Sequence, residues 1–252
     1  MKNLFEILIY KLIYFIKYIF VCLFSTKESR RNFRKQQKML MPKFGDKPIK
    51  YGNENQIQII WQDNKTTTNP KYINNLSISF WGKNNKIKLY APIVFYPSYI
   101  SAYDDCNITI RTSPQMKIKL CAYKNSTVDI GENVQIGSAF IQMMNEKGTS
   151  LEIKKNAVLA TDIKIWTTDT HSIYDKNSNK LLNAGKNKVV LGEHCWICDG
   201  AVLLKNAQIP DESIVGNSSV VTSAFDTPNI VIAGNPAKIV KQNIYWTGGS
   251  IN

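Results

Sequence analysis

The chain is poor in histidine, in acid and in clean apolar runs. Among its 252 residues there are two histidines, His171 and His194, and five cysteines without paired spacing. Cys195-x-x-Cys198 has a zinc-like spacing, but no second ligand pair accompanies it, so no metal is expected. Unpaired cysteines also exclude a disulfide framework and point to a reducing compartment. Acidic residues number 19 against 32 Lys and Arg, a net charge of +13. The surplus is concentrated in residues 1–50, where 12 basic residues face 3 acidic ones; the other 202 residues hold 20 and 16. A basic segment calls for an anionic partner, either lipid headgroups or an acidic polysaccharide. Nucleic acid is not expected, because no nucleic-acid-binding motif accompanies the charge.

The longest apolar stretch, residues 4–24, reads LFEILIYKLIYFIKYIFVCLF and is broken by Glu6, Lys11 and Lys17. Two lysines near its centre argue against a spanning helix. The interruptions, with no small-residue cleavage site after them, argue against a secretory leader. On a helical wheel Asn3, Tyr10, Lys11, Tyr14, Lys17 and Tyr18 share one face, and Leu8, Leu12, Phe15, Ile16, Ile19 and Leu23 cover the other. Two readings stay open. The helix lies in a membrane interface with the basic run Lys27 to Lys38 beside anionic lipid, a peripheral contact through residues 1–40. Alternatively it caps a repeat domain or a partner subunit. Pro42, Gly45 and Pro48 mark a linker, which closes a basic helical extension over residues 1–50.

The most regular part of the chain runs from Leu191 to Asp226 in blocks of six: LGEHCW, ICDGAV, LLKNAQ, IPDESI, VGNSSV, VTSAFD. Position one is aliphatic throughout (Leu191, Ile197, Leu203, Ile209, Val215, Val221). Position five is small (Cys195, Ala201, Ala207, Ser213, Ser219) until Phe225. A period of six fits neither a helix nor a half-buried strand; it is the repeat of a parallel β-helix with three hexads per turn. One aliphatic per hexad points into a narrow interior, worth roughly 1.5–3 kcal/mol each when fully buried. Corners take Gly192, Asp199-Gly200, Asn206 and Gly216-Asn217, residue types that tolerate sharp turns. A β-sandwich strand pair is the alternative that six consecutive matches disfavour.

Earlier, from about Asn74, alternating runs such as LSISFWG, KIKLYA, NITIRT and MKIKLCA indicate irregular coils, so residues 51–129 are read as early coils of the same solenoid. Hexads begin at Ile130 and Ile136, are interrupted around Gln142 to Ser150, and resume at Ile153, Leu159 and Ile165; the regular solenoid is read as 130–245. After Ile165 comes TTDTHSIYD, and the next in-register aliphatic, Leu191, is 26 residues on, not a multiple of six. Residues from about 174 to 189 therefore leave the prism as a loop, and loops on a rigid scaffold are where sites tend to lie.

These hexads, with TTDTHSIYD and NIVIAGNPAK, resemble the hexapeptide-repeat acyltransferases, and within them the branch that O-acetylates bacterial capsule and lipopolysaccharide sugars. The resemblance implies a left-handed parallel β-helix, all-β apart from the N-terminal helical extension; general topology would favour the opposite hand. It implies transfer of an acetyl group from acetyl-CoA to a sugar hydroxyl, which needs a base within hydrogen-bond reach. His171 sits where the family carries that base, and imidazole suits the task with a pKa near 6.5. Asp169, Asp175 or a backbone carbonyl would orient its second ring nitrogen. Trp196 would project near the His171 turn and stack on sugar or CoA, or pack on the loop; His194 would assist binding or pack on a neighbouring coil. Asn145 matches a region from which relatives contact the acceptor. The cofactor positions carried over are Ser218, Thr222, Ser223, Gly234 and Lys238, with Ser223 where a basic residue is common. Lys205-Asn206, where Pro-Gly is frequent, is expected to affect corner geometry alone.

By the same resemblance the protein would be a homotrimer with active sites shared between subunits, acting on an anionic or lipid-linked glycan acceptor. Its location would be cytoplasmic, peripheral on the inner membrane. Two other functions remain open at this level: N-acetylation of an amino sugar, and a silent β-helix scaffold.

Overall fold

The computed structural model describes residues 2–24, 26–41, 47–52, 54–184 and 187–248, with side chains except at 2–5, 18–24 and 37. Helix α1 covers Lys2–Phe24 and helix α2 covers Lys27–Leu40. The linker residues Pro42 and Gly45 lie outside the described residues, as do the side chains of Asn3, Tyr18, Ile19 and Leu23. The basic run Lys27 to Lys38 thus forms a second helix of its own.

From Gln56 onward the chain winds as a left-handed parallel β-helix. Three ladders of inward aliphatics define its faces. The first stacks Ile59, Leu89, Ile110, Ile130, Ile153, Leu191 and Ile209. The second stacks Phe95, Met116, Ile136, Leu159, Ile197, Val215 and Ile232. The third stacks Ile78, Ile100, Leu120, Ile141, Ile165, Leu203 and Val221. All are buried in one continuous core. Every position-one aliphatic of the hexads is a rung, so the six-residue period is the spacing of faces around the prism.

The small residues at position five are as buried as the rungs: Cys195, Ala201, Ala207 and Ser213 are 0 % exposed and Ser219 1 %. Their room is limited by the next coil. Cys195 Sγ lies 3.1 Å from the Pro210 carbonyl, and the Ser219 hydroxyl accepts from Gly234 N at 3.1 Å. In the early coils Ile57, Ile87 and Ile108 hold this place on the first face, and polar groups are buried two residues ahead of them. Asn85 donates to Asn55 Oδ1 at 2.8 Å, and its own Oδ1 accepts from Cys106 N at 3.0 Å, which satisfies both amides inside the prism.

Corners are turned in the left-handed backbone region. At the corner joining the first face to the second, Asn133, Asn156, His194, Glu212 and Asn229 have φ of 57°, 62°, 51°, 58° and 59°. Asn supplies most such positions because its short amide tolerates this region. Gly192 answers a different demand, since a Cβ there would come within 2.5 Å of Asp211 N in the next coil.

The strand Gln56–Ile60 starts the solenoid earlier than the alternating runs from Asn74 indicate, and Thr66–Thr68 folds antiparallel against it. At the far end Val231–Gly234 turns through a hairpin onto Ala237–Lys241 and ends the parallel stack. The coil from Leu191 to Ile209 is the strict eighteen residues, whereas Ile153 to Leu191 spans thirty-eight. The extra length leaves after Thr167, whose N–H still bonds Gln142 O, and returns at Lys188, paired with Ser150. The excursion therefore starts at Thr168, not Tyr174, and His171 lies inside it.

Candidate functional site at the broken corner

The corner joining the third face to the first carries the TTDTHSIYD turn. Thr167 and Thr168 are buried, and the Thr168 hydroxyl donates to Met144 O of the preceding coil at 2.9 Å. Thr170 adopts φ 62°, which turns the chain sharply outward. His171 follows, exposed, with its N–H on Asp169 O at 2.7 Å. Its imidazole makes no hydrogen bond to the described residues.

Three other side chains fix that turn. Asn183, from the return limb of the loop, donates to His171 O at 2.8 Å and to Asp169 Oδ2 at 3.0 Å, while its Oδ1 accepts from Ile173 N at 2.9 Å. Lys205, on the next coil, is ion-paired with Asp169 and donates to Asn183 O at 2.6 Å; its side chain is only 9 % exposed. Asn145, from the preceding coil, reaches Thr170 O at 3.4 Å. Lys205 has a structural role beyond corner geometry: it ties the loop to the prism. Register hid this from the sequence, since Lys205 comes under Thr167 only once Leu203 is known to pair Ile165.

The two aspartates hold the loop and make no bond to the imidazole. Asp169 is engaged by Lys205 and Asn183. Asp175 closes a turn by accepting from Ser178 N at 2.7 Å, Ser178 Oγ at 2.8 Å and Asn177 N at 3.0 Å, and those bonds hold its carboxyl below the usual range. Among the described residues, Glu146 Oε2, Trp166 Nε1, Thr167 Oγ1, Asn187 Oδ1 and Asn206 Oδ1 at this corner are buried without a hydrogen-bond partner.

Thr222 and Ser223 lie exposed at this same corner, one coil beyond Lys205. The other residues named from sequence do not. His194 occupies the next corner round the prism, its Nδ1 2.6 Å from Glu212 Oε2 and its ring stacked at 4.1 Å and 9° on Trp246. Trp246 Nε1 donates to His194 O at 2.9 Å, and Trp196, on the second face, is 39 % exposed beside the same indole. The expectation that Trp196 projects near the His171 turn is thus not met within one chain, because whole faces separate the two. Trp246, in the tail, was not singled out from sequence and has no repeat position to announce it. Ser218 is at the third corner, with φ 54°, beside Gly200. Gly234 and Lys238 are on the closing hairpin, where Lys238 is exposed and makes no ion pair among the described residues.

Cys195 and Cys198 are both buried, and burial pushes their thiols up to about 12 and about 11. Among the described residues no cluster of three or more His, Cys, Asp or Glu is gathered.

This solenoid is the left-handed β-helix also seen in solved acetyltransferases. The crystal structure of the polysialic-acid-specific acetyltransferase NeuO superposes with a TM-score of 0.66 at 23% identity, over 79% of this chain and 86% of that one. In sequence the chain is 29% identical over 140 residues to a polysialic acid O-acetyltransferase of Escherichia coli O1:K1 / APEC, covering 55% of this chain and 44% of that protein. It is 36% identical over 118 residues to a Dictyostelium discoideum protein named as an acetyltransferase, covering 46% and 60%. The chain spans about half the length of these curated relatives. No protein-family profile matches it.

Proposed function

We propose that the protein is an acetyl-CoA-dependent O-acetyltransferase that modifies a sugar hydroxyl of an anionic bacterial surface polysaccharide or its precursor. The observation that carries this reading is the broken corner: an exposed imidazole, without a hydrogen-bond partner among the described residues, on a turn that Asn183, Lys205 and Asn145 hold from three sides. A general base needs that combination of fixed backbone and uncommitted ring.

Acetyl-CoA supplies an acyl group activated as a thioester. His171 takes the proton of the acceptor hydroxyl as its oxygen forms the new C–O bond to the acetyl carbon, and returns that proton to the sulfur as the C–S bond breaks. Thr222 and Ser223 continue the same corner toward the C-terminal end, where exposed hydroxyls suit a polar cofactor chain. Lys238 offers a point charge for a phosphate.

Ser218, Gly234 and Lys238, like Trp196 and His194, sit on other parts of the prism from His171. They join one site only if the broken corner of one subunit meets another face of its neighbour. That supports a homotrimer with three shared sites, since cyclic assembly repeats one heterologous contact.

The test is release of CoA thiol from acetyl-CoA with a panel of acceptors. Hydroxyl-only anionic glycans should stimulate release, and His171→Ala should abolish it. Stimulation by amino sugars alone would replace O-transfer by N-transfer. Absence of release with every acceptor, together with no CoA binding, would leave a scaffold.

A further inference from the structure

The N-terminal helices meet the solenoid in an unusual orientation. Helix α1 turns Tyr10 and Tyr14 inward: the Tyr10 ring is 5.4 Å from that of Tyr72 at 71°, and Tyr14 is 6.3 Å from Phe33. Ile7 is buried on the same side, and Glu6 pairs with Lys71 at 3.2 Å. The apolar face is left outside. Leu8, Leu12, Phe15 and Ile16 are 56 %, 58 %, 58 % and 57 % exposed, flanked by Ile9 and Ile13 at 43 % and 46 %. Such a stripe, at helical spacing, is what a core-facing helix would bury first.

Helix α2 is mounted the same way round. Met39 and Leu40 are buried against the solenoid, and Asn74 bonds the Met39 and Lys38 carbonyls at 2.7 and 2.9 Å. Outward it shows Lys27, Arg30, Arg31, Arg34 and Lys38, at spacings that place them on one face. The two helices pack on one another, Tyr14 against Phe33, so an apolar stripe and a basic stripe run side by side.

We propose that this pair of stripes is a docking surface for an anionic lipid bilayer. The helix lies in the interface with Leu8, Leu12, Phe15 and Ile16 among the acyl chains, and the α2 cations meet lipid phosphates. Lys11 and Lys17 keep α1 from sinking further, and no helix among the described residues is long and apolar enough to cross a membrane. Charge decides between a bilayer and a second copy of the chain. Apposing two copies through this surface would bring together two helices that each carry six Lys and Arg against the single Glu28, whereas anionic headgroups complement them. The membrane and cap readings of the sequence thereby combine: the tyrosine face caps, and the apolar face docks.

The proposal stands independently of the catalytic reading. It is tested by co-sedimentation of the full chain with phosphatidylcholine–phosphatidylglycerol vesicles and with pure phosphatidylcholine vesicles. Binding to the mixed vesicles should exceed that to the neutral ones by about tenfold or more and fall with salt. Leu12→Glu with Ile16→Glu should weaken it by at least ~10-fold. Arg31→Gln with Lys38→Gln should reduce binding to the anionic vesicles alone and flatten the salt dependence. Indifference of the wild-type chain to lipid charge and salt would overturn the proposal, even if a variant failed to fold. Three other outcomes would do the same. They are equal binding by the Glu variant, lipid-free self-association abolished by that variant without vesicle binding, and capture of anionic polysaccharide through α2 without vesicle binding.

Discussion

The two histidines occupy two corners of one prism and teach opposite lessons. His194 sits in a regular corner, between Asn156 above and Glu212 below, all three in the left-handed backbone region. Its backbone bonds Lys155 O, and its ring is held by Glu212 and Trp246. His171 sits where the coil fails to close in eighteen residues, and among the described residues the hydrogen bonds around it fix the backbone and leave the ring alone. A regular corner consumes its side chains in stacking. A broken corner, held by its neighbours, leaves one available for chemistry.

The sharpest break of this comparison is to remove each imidazole in turn. His171→Ala should lower CoA release by roughly 10²–10⁴-fold, as expected for loss of a general base, with thermal melting nearly unchanged. His194→Ala should do the reverse, keeping acetyl transfer within about tenfold of wild type while costing roughly 1–2 kcal/mol from a strained corner and a lost ring contact. Denaturant unfolding beside the thiol assay checks both; equal loss of transfer in the two variants would end the distinction.

Next in size is the frame beneath the broken corner. Leu203→Ala empties a third-face rung directly below Ile165 and should cost about 2–5 kcal/mol in denaturant midpoint analysis. Lys205→Met tests the tie between frame and loop. It should lower transfer about tenfold by freeing Asp169 and Asn183, with Lys205→Arg recovering part of it. A melting shift without any change in transfer would make Lys205 merely structural.

Separation of the corners gives a further prediction. A one-to-one mixture of His171→Ala and Trp196→Ala chains, unfolded and reassembled, should regain about a quarter of wild-type transfer if each site uses one corner from each of two subunits in a cyclic trimer. No recovery would place both residues in the same subunit's site or none.

The smallest effect concerns acid. Asp199 accepts from the Thr161 hydroxyl at 2.5 Å and from Thr161 N at 2.8 Å, and Asp175 accepts three bonds in the loop; both carboxyls are held below their usual range. A carboxylate lowered in the folded state stabilises it above the ordinary carboxylate pKa, near 3.9, and loses that contribution as pH falls through the folded value. Melting temperature should therefore drop below about pH 4. Asp199→Asn should blunt the drop at a prism corner, and Asp175→Asn should blunt it only in the loop, seen as earlier proteolytic nicking there.

Much of this was legible in the residues. The aliphatic at every sixth place from Leu191 and the small residue at position five reported the three ladders and the tight interior, because burial acts on each of those positions locally. The 26-residue gap after Ile165 located the excursion for the same reason. The early coils were read less well. They run twenty or more residues per turn and bury Asn85 and Cys106 four residues before the rung, so their period is blurred.

The sequence by itself determined the solenoid and marked the place where its period breaks, since both depend on residue type at a local period. Tertiary structure alone decided what stands beside what. Lys205 under Thr167, Asn183 across the turn and His194 a corner away depend on register between coils, and the outward apolar face of α1 depends on how Tyr10 and Tyr14 pack on Tyr72 and Phe33. Register is set by the summed packing of thirty-eight residues in one coil against eighteen in the next, and no local pattern encodes it.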